Sequence, residues 1–159
     1  MDNKITDEQL LKNIREQIDL LRGEFINHLD SFEKTMRSRL LGIFEEWKQI
    51  NLRRIVDLAD AAHEMFNQGR LVPACTLTRS VFETVGVQYY VYKKIINHTS
   101  KPDPEFIHKL LIAAVFGRKD VTGWDKPIHV LDAIDFMDKE FQGARSEYDH
   151  LCEYAHPNL

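Results

Sequence analysis

Apolar residues recur along the first third of the chain at Leu11, Ile14, Ile18, Leu21, Phe25, Leu29, Phe32, Met36, Leu40, Phe44 and Trp47. Every step is three or four residues, the repeat of a helix that buries one stripe. Thr6 or Asp7 is placed to cap its start, and Asp7 and Glu8 suit the positive end of its dipole. An unbroken helix from residue 7 to 48 would reach roughly 60 Å. A single domain of 159 residues is only about 40 Å across. Either the helix breaks, at Gly23 or Gly42, or its excess length meets a second subunit. The periodicity runs through both glycines, so the expectation is one long helix, an arm over residues 1–49 that pairs in a homodimer around Leu29 and Phe32. The other reading is two antiparallel helices joined without an obvious loop.

The rest of the chain continues in the helical repeat. A second helix is expected from Leu52 to Asn67, stopped by Gly69. A third runs from Pro73 to Ile96, with proline in its first turn. After "NHTSKPDP" comes a helix from Glu105 to Phe116 capped by Asp103, and after "GRKDVTGWDK" one from Ile128 to about Phe141. Gly143 separates that from a last helix ending near His156. Strand alternation is absent. The chain is therefore expected to be all-α, a single helical-bundle domain over residues 1–159 with its core in residues 50–159.

Composition narrows the function classes. A net charge of −4 gives no general reason to expect nucleic acid, although a local basic groove can sit on an acidic protein. Cys75 and Cys152 form no CxxC and lie in helix-like segments, which reads as reduced, buried thiols in a cytoplasmic protein. The charged start "MDNKITDEQL" is unlike a signal peptide, and no apolar run is long enough to span a bilayer, so no membrane partner is expected.

The third helix carries the most informative residues. Between Leu71 and Tyr92 the stretch "LVPACTLTRSVFETVGVQYYVY" holds two charges, Arg79 and Glu83, four apart on one face with Gly86 and Tyr90. A helix apolar on every side is expected at the centre of a bundle, and Gly86 would let a neighbour approach closely. Burying two charges is costly unless they pair. Arg79 and Glu83 are therefore either an ion pair that fixes helix packing or part of a site. They are expected beneath the C-terminal "HPN" end, bonded to it or to Tyr148. Removing one partner of such a buried pair would cost about 3–5 kcal/mol.

"LTRSVFETVGVQYYVYKKI" and the later "YDHLCEYAHPN" together resemble bacterial helical bundles of the HEPN-like (higher eukaryote and prokaryote nucleotide-binding) kind, over roughly residues 50–159. Arg79, Ser80, Phe82 and Glu83 match that group's Arg-Ser-aromatic-Glu element; Tyr148, Tyr154, His156 and Pro157 match its Tyr-rich helix closing on His-Pro. The resemblance implies a dimeric four-helix core, no cofactor, and an association in many relatives with RNA cleavage in toxin or phage-defence systems.

Ribonucleases of that kind use Arg, four to six residues, then His, without a metal; Arg145 and His150 meet the count. Ser146 departs from the Asn, Asp or His usual after that Arg. Five residues of straight helix also turn about 140°, so the two side chains converge only if Arg145 precedes the first turn or a partner subunit supplies one of them. In that chemistry His150 is a general acid or base and Arg145 stabilises phosphate charge. The competing reading is a surface Arg145 paired with Asp149 beside an exposed His150. His156, held before Pro157 at a helix end, is a third catalytic candidate, and Arg79, Glu83, Tyr90 and Tyr148 are binding candidates. Glu-x-x-His occurs at Glu105–His108, Glu147–His150 and Glu153–His156. The last two share one helix and point apart, and Glu105 is explained by its helix start, so a di-metal site is not expected. Two function classes follow: a metal-independent endoribonuclease acting as a toxin or defence effector, or a non-catalytic dimeric module binding a nucleotide, a peptide or a cognate protein such as an antitoxin.

Overall fold

The N-terminal stripe is divided between two helices. In the computed structural model, which describes residues 6–26, 39–97, 103–116 and 126–155, α1 (Asp7–Gly23) ends at its first glycine. Its start is fixed by a capping box: the Thr6 hydroxyl accepts from the Gln9 N–H at 3.3 Å, and the Gln9 side chain accepts from the Thr6 N–H at 3.0 Å. At the other end the Glu24 and Phe25 N–H groups turn back onto the Leu21 and Arg22 carbonyls. The Ile26 N–H then reaches the Gln49 side chain at 3.1 Å, and Arg53 lies over the Phe25 ring at 4.6 Å.

The expected rod from residue 7 to 48 is therefore corrected to two helices, α1 lying antiparallel on α2 (Arg39–Asn67). Leu11 lies by His63, Arg15 by Asp60 and Ile26 by Gln49. Interior glycine costs a helix about 1 kcal/mol, and lying back on α2 buries Ile18 of the stripe, while Trp47 is buried separately against α3 and α4. Leu29, Phe32 and Met36 lie outside the described residues. Phe44 and Trp47 belong to α2, which runs without a break through residue 52, where the sequence suggested a new start. Gly69, at φ +73°, ends α2 as expected. The Gly69 N–H bonds the Phe66 carbonyl and the Arg70 N–H bonds the Met65 carbonyl, both at 2.9 Å, a Schellman motif.

α3 (Leu71–Asn97) is the central helix, packed by α2, α4 (Pro104–Phe116), α5 (Val130–Asp138) and α6 (Ala144–Ala155). Trp47, Val91 and Leu111 form a buried cluster where α2, α3 and α4 meet, with Phe44, Val87, Tyr90 and Ile107 packed against it. Gly86 is buried as anticipated: a Cβ there would stand 3.2 Å from the Ile134 Cγ1, so the missing side chain is what lets α5 lie this close. Asp103 caps α4, its carboxylate accepting from the N–H groups of Glu105 and Phe106 at 3.0 and 3.2 Å. α5 is shorter than its apolar pattern. It stops at Asp138, whose carboxylate accepts from the Gly143 and Arg145 N–H groups at 2.9 and 3.1 Å and so starts α6. Gly143, at φ +98°, makes the turn between them. Among the described residues there is no strand, and the fold is an all-α helical bundle. Among those residues, too, no helix is long and apolar enough to cross a membrane.

Candidate functional site

α3 and α6 bring three of the expected binding residues together. The Arg79 Nε donates to the Glu83 Oε1 at 3.0 Å, the Tyr148 hydroxyl donates to the same oxygen at 2.9 Å, and the Arg79 guanidinium sits over the Tyr148 ring, 5.8 Å from its centre. One carboxylate thus ties two turns of α3 to α6. Tyr148 is 4 % exposed. Burial, and then the bond to Glu83, push its phenol up to about 12. Tyr148 and Glu83 in turn hold Arg79 more firmly in its charged form.

The expectation of two fully buried charges is corrected. The Arg79 and Glu83 side chains are 36 % and 30 % exposed, so this face of α3 reaches solvent at the edge of α6. The helix is apolar on every side in sequence but is not covered on every side: Leu71, Val72 and Tyr92 are exposed. Tyr90 does not join the cluster. Seven residues beyond Glu83, about 10 Å along the axis, its ring meets Phe136 edge-on at 5.3 Å with Lys94 above it at 5.2 Å. There it lines a separate cavity with Leu110, Ile128 and His129. His156 lies outside the described residues, so the proposed "HPN" half of the cluster does too.

Arg145 and His150 stand in one helix, with Arg145 in its first turn rather than before it. Arg145 binds both carboxylate oxygens of Asp149 at 3.0 Å and Asp135 at 2.6 Å. These two carboxylates, Asp135 foremost, raise its affinity for its proton further. Two aspartates therefore hold the guanidinium, while Asp138 accepts from the Arg145 backbone N–H. His150 is exposed, five residues and about 140° further round the helix. The pairing of Arg145 with Asp149 is thus the arrangement found. Cys75 and Cys152 are free thiols, half-buried where burial was expected. Among the described residues no three His, Cys, Asp or Glu side chains are grouped to hold a metal.

Sequence reading missed a second polar group, between α1 and α2. Asp60 accepts from Arg15 through one oxygen and from Arg22 through the other, the latter at 2.8 Å. Arg15 and Asn67 each approach the His63 Nδ1 at 3.1 Å, while the His63 Nε2 faces the Leu11 carbonyl at 3.3 Å. Two donors at Nδ1 and a carbonyl at Nε2 place the ring proton on Nε2. The Arg15 bond, ahead of the charges around it, holds the Asp60 carboxyl below the usual range. Arg15 and Arg22 are seven apart, hence on one side of α1, and that spacing was the available signal. A third group also went unread: Glu140 accepts from the Tyr89 hydroxyl and pairs with Lys93 at 2.6 Å.

Above α2, between α1 and α3, runs an open apolar groove of about 400 Å³, with Leu10, Ile14 and Phe66 at its lips. Comparison of the chain with family models, with curated proteins and with solved structures found no match.

Proposed function

We propose that this chain is a non-catalytic, dimeric helical module that binds a cognate protein or peptide. The observation that carries this reading is the state of Arg145. A guanidinium that stabilises transferring phosphate must offer its donors to the substrate. Here its Nε is engaged by Asp149 and its Nη1 by Asp135, two carboxylates that largely offset its charge. Such a field does not draw a phosphodiester in. His150 has no complementary Arg on its own side of the helix, and the Arg79–Glu83–Tyr148 cluster is closed on itself as a brace between helices. The groove between α1 and α3, apolar along its length, suits a protein or peptide surface better than a nucleotide.

Incubation of the purified protein with total RNA tests this reading against the ribonuclease one. RNA is expected to stay intact with the unmodified protein and with Arg145→Ala and His150→Ala alike. Decay that either substitution abolishes would restore the assignment of Arg145 and His150 as a metal-independent ribonuclease centre.

A further inference from the structure

α1 and the residues just after it carry two apolar lines. Leu11, Ile18 and Phe25, seven apart, turn toward α2, and of these Ile18 is buried at 3 % exposure. Leu10, Ile14 and Leu21 do not: they are 50, 40 and 38 % exposed. With Gln17 they fall at steps of four, three and four, the spacing of a two-stranded coil seam. The N-terminal half of this second line, Leu10 and Ile14, forms one lip of the groove whose floor is Ala59 and Ala62 and whose far wall is Cys75 and Thr78; Gln17 and Leu21 continue it beyond the groove. Phe66 at the groove, 47 % exposed, and Leu71, 57 % exposed and one turn before Cys75 on the same side of α3, extend the patch.

We propose that this face seats a second copy of the chain, the α1 helices of the two protomers lying antiparallel across a twofold axis. The inference rests on the dimeric reading above and gives it a described interface in place of the expected one around Leu29 and Phe32. Two observations select a second copy. A four–three–four spacing reads the same in both directions, so reversal sets Leu10 against the partner's Leu21 and Ile14 against the partner's Gln17. An isologous contact requires such self-complementarity. The area is also right: the five exposed side chains offer on the order of 500 Å² of apolar surface, the apolar share of the roughly 800 Å² that each partner of a stable pair buries. A 17-residue helix with one buried residue gains little from α2 alone. The second seam supplies the missing contact.

Sedimentation equilibrium of the full chain and three variants tests the interface. Ile14→Glu puts a carboxylate into the seam and is expected to weaken dimerisation roughly 100-fold or more, whereas Ile50→Glu, at an exposed position toward the other end of α2, leaves it unchanged. Gln17→Leu completes the seam and is expected to tighten the dimer about tenfold. That arm decides the matter should Ile14→Glu lose helix content by circular dichroism. A dimer indifferent to both α1 substitutions would overturn this interface and leave the dimeric reading standing. An unmodified chain that is monomeric at about 100 µM would overturn both. If such a monomer bound a hydrophobic dye and Ile14→Glu abolished the uptake, the groove would belong to a different partner.

Discussion

Two of the polar groups that join helices in this bundle, the α3–α6 brace and the α1–α2 group, work in different surroundings. The α3–α6 brace centres on Tyr148, a 4 % exposed aromatic whose hydroxyl has one carboxylate partner. The α1–α2 group has more bonds, from Arg15, Arg22, His63 and Asn67 around Asp60, yet the Arg15, Arg22 and Asp60 side chains are 37, 43 and 39 % exposed. Water reaches the ion pairs of both groups, Arg79–Glu83 included, and what sets the first apart is the buried Tyr148 ring beside its bonds. The number of hydrogen bonds is therefore the wrong measure of what each contributes. Apolar burial around the polar atoms decides it.

The largest effect that would break this contrast lies at Tyr148. Replacement by Ala removes a buried ring and leaves a cavity between α3 and α6, with an expected loss of about 3–5 kcal/mol in urea unfolding. Tyr148→Phe keeps the ring and removes one hydrogen bond, for a loss of about 1 kcal/mol. The phenol also gives the brace a pH signature. An unfolded tyrosine titrates near 10, while the folded one is pushed up to about 12. A raised folded value means the folded state holds the proton more tightly. The stabilisation is complete below pH ~10 and is lost as pH rises toward ~12. Tyr148→Phe is expected to flatten that alkaline fall. An equally steep fall in the Phe variant would place its origin in another group.

Glu83→Gln sharpens the comparison from inside the brace. Full burial would make the loss of one partner cost about 3–5 kcal/mol. With the two side chains 36 % and 30 % exposed, the Arg79 charge stays hydrated and the amide still accepts from Tyr148. The expected loss is about 1 kcal/mol. Arg79→Met combined with Glu83→Leu should come close to the unmodified protein, apart from the Tyr148 hydroxyl left without its acceptor. Thermal melts of the three proteins measure both. A loss above about 3 kcal/mol for Glu83→Gln would mean that the brace excludes water and that the contrast with α1–α2 is larger than the exposures imply.

The same contrast explains what was legible in the sequence. Arg79, Glu83 and Gly86 stood out because they interrupt an apolar stretch, and a polar residue there needs a partner. Tyr148 was readable as that partner through its match to the Tyr-rich terminal helix. Exposure was not readable, because an apolar run does not say which of its residues the neighbouring helices cover. Leu71, Val72 and Tyr92 stay exposed, and with them one edge of α3. The break at Gly23 was hidden for a related reason: two antiparallel helices each follow the same 3.6-residue repeat, so the repeat alone does not show where the first one ends. The Asp60 group was harder still. Asp57, Asp60 and Glu64 all look like solvated charges on α2, and Asp60 is distinguished only by where Arg15 and Arg22 arrive once α1 folds back.

Asp60→Asn is the smallest perturbation and bears on that last point. Its carboxylate is bonded by two guanidiniums, and its affinity for a proton is lowered, first by the Arg15 bond. A lowered folded value means that the charged form stabilises the fold above the unfolded value near 3.9. That contribution fades as pH falls through the lowered value. At neutral pH the amide leaves Arg15 and Arg22 exposed to water rather than stranded in an apolar interior. The expected loss is therefore only about 0.5–1 kcal/mol despite the several bonds at this residue. Denaturation at pH 7 and again near pH 3 separates the terms: the variant should fall short of the parent at pH 7 and close part of the gap in acid. Salt should narrow the pH 7 difference as well, since these charges lie within reach of screening ions. A loss as large as that of Tyr148→Ala would erase the distinction between the two groups and make the α1–α2 contact, with the seam it carries, an electrostatically anchored part of the core.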